Sequence, residues 1–346
     1  MTETIKKVTN HVGLPRIIIT SFFVFLCFLA FVLNLPVDIL FKDTLVRMGM
    51  NGVLVLAMVP AILSGIGPNF GLPLGIVCGL LGGLISIELD LIGGYAFFMA
   101  ILISIPFAVI VGWMYGLLLN GVKGSEMMVA TYTGFSVVSL MSIGWLLIPL
   151  KSTEMVWPIG RGLRVTISLG SRYAKVLNDF WSFSIGGVEI PTGLILFFLV
   201  LCLGVWIFLR TKVGLAMKAA GTNPKFAVAS GIHVDRCRVM GSILSTVLGA
   251  IGIIVYAQSY GFFQLYQAPL MMAFPAVAAI LIGGASAQKA KISHVIIGVF
   301  LFQGLLTVAL PVANKIVSQG NLAEVLRMIV QNGIILYALT KVDGGE

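Results

Sequence analysis

Long apolar runs, one after another and nearly free of charge, constrain this chain more than any other feature. They fall near 17–35, 47–66, 71–88, 92–119, 127–149, 192–209, 239–257, 269–284, 292–313 and 323–340, about ten in all. A helix needs roughly 20 apolar residues to cross about 30 Å of hydrocarbon, and these runs match that length. A transmembrane barrel would show short segments of alternating polarity instead. The sequence therefore predicts an all-α polytopic membrane protein of about ten transmembrane helices, in a single domain, 1–346. Composition agrees, because 10% of the residues are charged against about 25% in soluble domains. The fourth run, some 28 residues long, is predicted to be strongly tilted or broken near Pro106.

The net charge is +9. In a membrane protein this excess reads as the basic bias of cytoplasmic loops, not as a nucleic-acid surface. With the amino terminus inside, the cytoplasmic segments hold Lys6, Lys7, Arg16, Lys123, Lys289, Lys291, Lys341 and the basic residues of 210–238. The short outer loops hold Lys42, Arg47 and Lys315, and an even number of spans returns the carboxyl terminus to the cytoplasm. Two gaps are long: 151–191, expected outside, and 210–238, expected inside. Cys27, Cys78, Cys202 and Cys237 are scattered and offer neither metal spacing nor a disulfide framework.

Gly71, Gly75, Gly79 and Gly83 recur at four-residue spacing and make one side-chain-free stripe on a helix. Such a stripe lets two backbones approach closely in lipid; it can serve packing alone, or it can border a path along which something slides. The preceding 65–73 segment, GIGPNFGLP, carries Pro68 and Pro73 and is a broken-helix or re-entrant candidate. Irregular backbone at membrane depth requires protein or water around it.

Ionisable residues inside the spans would mark a proton- or ion-coupled pump. Here Glu88, Asp90, Glu126, Glu324, Arg327 and His294 all sit at span ends, and His11 and His233 lie in cytoplasmic segments. The chain contains no G-x-x-x-x-G-K-[ST] loop for nucleotide phosphates and no H-E-x-x-H or G-x-S-x-G element. No catalytic constellation supports a membrane enzyme. Uphill transport would draw its energy from a separate chain, whereas a stand-alone channel or facilitator would need none.

A dock for such a chain is legible at 218–232, KAAGTNPKFAVASGI. Thr222 or Asn223 is a suitable N-cap, and Pro224 occupies the first helical position, where its missing N–H costs nothing. Lys225 to Ser230 makes under two turns, and Gly231 is placed to end them in a left-handed conformation. A helix this short is marginal alone. Phe226, Ala229 and Ser230 share one face that the short inner loops look too small to cover.

The passage RTKVGLAMKAAGTNPKFAVASGI, 210–232, resembles the coupling segment of ABC-importer permeases of the simple-sugar, nucleoside and branched-chain amino acid type. That segment typically reads T-x-x-G-x-x-x-x-A-x-G-x-N-x-x-A-A-x-x-S/A-G-I. Thr211, Gly214, Ala219 or Ala220, Gly221, Asn223, Ala227, Ser230, Gly231 and Ile232 match it, while Val228 stands where a second alanine is common and Lys218 near a usual arginine or aromatic. PAVAAILIGGAS, 275–286, is similar to the family's A-A-A-V-I-G-G-x-S element, and GLLLNGVKGSEMMVATYTG, 116–134, to its L-N-G element and the apolar segment that follows.

The resemblance implies two inverted five-helix halves and two permease chains, identical or paralogous, around one path. It also implies cytoplasmic ABC ATPase subunits, which carry ATP and Mg and leave this chain without a cofactor, and an extracytoplasmic solute-binding protein contacted through 151–191. The implied coupling residues are Gly221, Thr222, Asn223, Pro224, Phe226, Ala227, Ser230, Gly231 and Ile232. A sugar is the expected solute and a nucleoside the alternative; the G-G-I-D-L-S-V-G of sugar permeases is replaced here by GPNFGLPLG, 67–75. Candidate path residues are Asn51, Asn69, Tyr256 and Gln258, with Tyr260 and Gln264 as further polar edges, beside the stripe Gly71, Gly75, Gly79 and Gly83. The expected location is the bacterial inner membrane, with both termini cytoplasmic.

Overall fold

A computed structural model describes residues 14–157, 162–185 and 188–316, together with 325, 328, 329, 331–333, 335 and 336. The chain is mostly helical. Its helices are α1 (Leu14–Val32), α2 (Val37–Leu56), α3 (Met58–Leu63), α4 (Leu72–Glu88), α5 (Gly93–Gly121) and α6 (Glu126–Leu147). After the long loop come α8 (Thr192–Phe208), α9 (Lys212–Thr222), α10 (Pro224–Ala229), α11 (Val234–Tyr260), α12 (Ala268–Ile282) and α13 (Ile292–Ile316). The loop itself carries β1 (Thr166–Ser168), the one-turn α7 (Val176–Asp179), β2 (Phe183–Ile185) and β3 (Val188–Ile190), and β4 (Phe262–Gln264) follows α11. Among the described residues, five helical segments are long and apolar enough to cross a membrane, or six if the bent pair α8–α9 counts as one. The tenth predicted span, 323–340, lies mostly outside the described residues, as do Glu324, Arg327 and both chain ends.

Two expectations change, and one left open is narrowed. The second span starts at Val37, not 47, because the helix continues through Asp38, Lys42, Asp43 and Arg47 at the end of the bundle. The fourth, expected to be tilted or broken, is unbroken across Pro106. And the 210–238 segment holds two helices. α9 precedes the expected short helix, opened by Thr211, whose side chain accepts the Gly214 N–H. It leaves α8 at a 79° bend.

The core is built around α11, which packs against α2, α3, α4 and α5. Two-thirds of its membrane-length window is buried, against 17% for α6, whose flank faces outward. The glycine stripe explains the tightest seam. An added Cβ on Gly75 would stand 2.4 Å from the Thr246 carbonyl oxygen, and one on Gly79 2.4 Å from that of Ala250. Only residues without side chains let α4 and α11 come so close.

The irregular 64–71 segment joins α3 to α4 as a buried elbow, with Gly65 and Gly67 at positive φ (81° and 89°), where glycine carries no Cβ penalty. Its surroundings are protein, which meets the requirement for irregular backbone at this depth.

At the end of the bundle away from α10, β1 pairs antiparallel with β4, Ile167 opposite Phe263, and β2 pairs with β3. Arg172 ties this cap together: Nε donates to Glu154 at 3.0 Å and Nη1 donates to Asp90. Glu154 first, then Asp90, hold the guanidinium charged beyond its ordinary range. Lys42 pairs with Glu189 and keeps that exposed carboxyl below the usual carboxylate range.

Candidate functional site

The first candidate region is the α9–α10 hairpin. Asn223, not Thr222, caps α10: its Oδ1 accepts the Phe226 N–H at 3.0 Å, while Thr222 Oγ1 donates back to the Lys218 carbonyl at 2.8 Å. Pro224 takes the first helical position. At the far end the Ile232 N–H reaches the Ala227 carbonyl at 2.9 Å and the Gly231 N–H reaches Val228 at 3.0 Å, with Gly231 at φ 75°. This pair of bonds is a Schellman closure. Both ends of a six-residue helix are thus satisfied locally, so α10 holds its shape with one buried residue, Ala227. Phe226 and Val228 are each 63% exposed, and Ala229 and Ser230 are exposed beside them.

Gly221 plays another part. A Cβ there would lie 2.3 Å from the Leu63 carbonyl oxygen and 2.7 Å from the Gly65 nitrogen. The last turn of α9 therefore rests directly on the elbow. Beside it a cavity of about 670 Å³ is bordered by Gly65, Glu126, Gly221, Thr222, Pro224 and Arg238.

The second region is a cavity of about 460 Å³ between α2, α11, α12 and α13. Asn51 and Tyr256 both line it, with Arg47, Gln264, Gln267, Gln303 and Gln331. Its polar groups are carboxamides, phenols and one guanidinium, set among Leu54, Met271, Phe302 and other apolar side chains. Such a mixture can hydrogen-bond a small neutral polar solute while covering its apolar faces.

The remaining expected path residues lie elsewhere. Asn69 is buried at the elbow, where Nδ2 donates to Ser245 at 2.7 Å and Oδ1 accepts from Tyr115 at 2.8 Å and from the Gly71 N–H at 2.9 Å. Gly71 faces the Tyr115 hydroxyl, Gly75 and Gly79 face α11, and Gly83 faces the Phe263 ring. Gln258 fastens the long loop to α11: Oε1 accepts the Leu177 N–H at 3.2 Å and Nε2 donates to Asn178 at 3.1 Å. Gln267 and Gln303 escaped the sequence reading. Gln303 had a signal, as a lone amide inside the apolar run VFLFQGLL. Gln267 had none until the fold brought the start of α12 over α2.

Among the described residues no group of His, Cys, Asp and Glu is arranged to hold a metal ion.

The profile of a family described as the branched-chain amino acid transport system / permease component matches residues 20–339. The chain is similar to the nucleoside ABC transporter permease protein NupB of Lactococcus lactis subsp. cremoris, 24% identical over 54% of this chain and 52% of that one. It is also similar to the galactofuranose transporter permease protein YtfT of Escherichia coli, 26% identical over 57% and 58% of the two chains. A third relative is the autoinducer 2 import system permease protein LsrC of an Enterobacter species, 26% identical over 74% and 66%. The matched part is about half the length of the first two relatives. No solved structure matches.

Proposed function

Since this chain belongs to the branched-chain amino acid transport system / permease component family, whose members are ABC-transporter permeases, we propose that it forms the translocation path of an ABC importer for a small polar solute, a sugar. The observation that carries this reading is α10, a helix capped at both ends whose Phe226 and Val228 project outward. Capping without burial suits a helix that is completed by another chain. That chain would be a cytoplasmic ABC ATPase, which supplies ATP and Mg, so the permease itself hydrolyses nothing. In the full assembly the domain 1–346 would comprise ten spanning helices in two inverted halves, paired with a second permease chain across a central path. The distribution of charge supports an orientation with α10 and both termini in the cytoplasm. The described basic residues at the α10 end include Arg16, Lys123, Lys218, Lys225, Lys289 and Lys291, with Glu126 and Asp235 as its carboxylates. The 151–191 loop would then face the solute-binding protein.

Within this frame Asn51 and Tyr256 would contact the solute in the 460 Å³ cavity, Gly75 and Gly79 would act in the seam along which its walls move, and Asn69, Gly71, Gly83 and Gln258 would hold the two ends of that seam to the elbow and the long loop. The polyhydroxylated character of a sugar suits a lining of amides and phenols. A nucleoside is the second reading, favoured by the similarity to a nucleoside permease.

The test is uptake into proteoliposomes holding this chain together with its cognate ABC ATPase and solute-binding protein, with labelled ribose and labelled uridine as probes. The importer reading requires uptake that depends on ATP. Uptake by the permease alone would instead identify a facilitator.

A further inference from the structure

The L-N-G element, which the coupling hairpin does not explain, meets that hairpin at one buried side chain. Arg238 lies one turn into α11 and is 6% exposed. Its Nε donates to Asn120 Oδ1 at 2.9 Å, Nη1 to the Gly65 carbonyl at 3.1 Å, and Nη2 to the Leu119 carbonyl at 3.2 Å and to Glu126 Oε1 at 2.7 Å. One guanidinium thus joins four elements: the helix that leaves the coupling hairpin, the end of α5, the start of α6 and the elbow. The elbow is held from its other side by Gly221 at the end of α9. Asn120 completes the joint by donating Nδ2 to the Asp235 carbonyl at 2.9 Å.

The geometry points to Arg238 as the positioning residue that carries movement of α10 into the elbow and so into the membrane helices. This inference rests on the importer reading. A buried ion pair loses much of its Coulomb gain to desolvation, and its best-attested use is to fix one arrangement against others. An apolar seam would grip in many registers. A planar fork with four acceptors at fixed directions grips in one and releases when any of them turns away. Within the elbow, four residues past Gly65, Asn69 bonds to Ser245 and Tyr115 and so ties the segment to α11 and α5. A displacement admitted at Arg238 therefore passes along the 65–69 backbone to the Asn69 hydrogen bonds and so toward the glycine seam. The adjoining 670 Å³ cavity leaves room for it.

The experiment is hydrogen exchange on the assembled permease–ATPase complex, with and without ATP and vanadate. In the wild type, peptides covering 224–232 and 64–71 both change exchange rate on nucleotide trapping. In Arg238→Gln and Glu126→Gln the 224–232 response persists, while that of 64–71 falls by about tenfold, the scale of one lost charged hydrogen bond. Arg238→Lys, which keeps the charge without the fork, restores little of it. An undiminished elbow response in both glutamine variants overturns the inference. So does loss of assembly in all three variants, which would make Arg238 a plain structural staple. A wild-type complex in which 224–232 ignores nucleotide refutes the importer reading itself, and this inference with it.

Discussion

Consider the substitution Gly79→Ala on α4. The added methyl would stand 2.3 Å from Ile253 Cγ2, 2.4 Å from the Ala250 carbonyl oxygen and 2.9 Å from Ala250 Cα. Ordinary contact needs about 3.5–4 Å, so α4 and α11 must separate by about 1 Å, since the obstruction is backbone and cannot rotate away. Overpacking of this kind costs about 1–3 kcal/mol. Alanine also gains up to about 1 kcal/mol of helix propensity over glycine, which would mask the loss. Gly204→Ala removes that ambiguity: Gly204 lies inside α8 with nothing within 4 Å of its added Cβ, so it receives the propensity gain alone. Both variants are melted in detergent and followed by tryptophan fluorescence. The difference between them isolates the seam, and about 1–3 kcal/mol corresponds to a few degrees, about 2–6 °C, with Gly79→Ala the lower. Equal melting temperatures would mean that α4 and α11 are not in backbone contact, and the packing account of the stripe would be wrong.

Three further outcomes follow from the same contacts. Asn223→Ala removes the α10 cap, worth about 1 kcal/mol, so exchange of the Phe226 amide should rise about fivefold, whereas Asn223→Asp keeps the acceptor and leaves it unchanged. Gly231→Ala places a Cβ at φ 75° at a cost of about 1–2 kcal/mol; the last turn of α10 should fray in the same exchange measurement, and Gly231→Asn should fray less. Gln303→Leu in the 460 Å³ cavity should raise the half-saturating concentration for uptake about three- to tenfold, as expected for one neutral hydrogen bond, without shifting the melting temperature. An unchanged uptake curve would move the solute away from that cavity.

Hydropathy sets where helices run because the bilayer length fixes the apolar stretch each one needs. That is why the described spans appear close to the expected positions. It does not set where they stop. α2 runs on through Asp38, Lys42, Asp43 and Arg47, since charged residues at the end of a bundle can reach solvent. Pro106 lacks the N–H that would bond the Leu102 carbonyl, yet α5 runs on unbroken, because neighbouring helices and local adjustment let spanning helices tolerate one such gap. Capping signals were legible at residue level: Asn223, Pro224 and Gly231 each do locally what their chemistry predicts. Gly221 was not. In the sequence it is one more residue of the coupling pattern, and only the fold shows it pressed against Leu63 and Gly65. Arg238 was legible as a basic residue of a loop. Its burial among Asn120, Leu119, Glu126 and Gly65 comes from chain segments more than a hundred residues away, which no local pattern contains.

This distinction decides how the coupling claim is best tested. Gly221→Asp would break the seam on the elbow, so it reports on folding. Phe226→Asp alters a side chain that is 63% exposed, so it reports on docking. The decisive measurement is ATP-dependent uptake by the reconstituted importer with Phe226→Asp, alongside capture of the ATPase by the purified permease and the permease's melting temperature. The expected result is an unchanged melting temperature with loss of both ATPase capture and uptake. Wild-type uptake and ATPase capture by Phe226→Asp would contradict it.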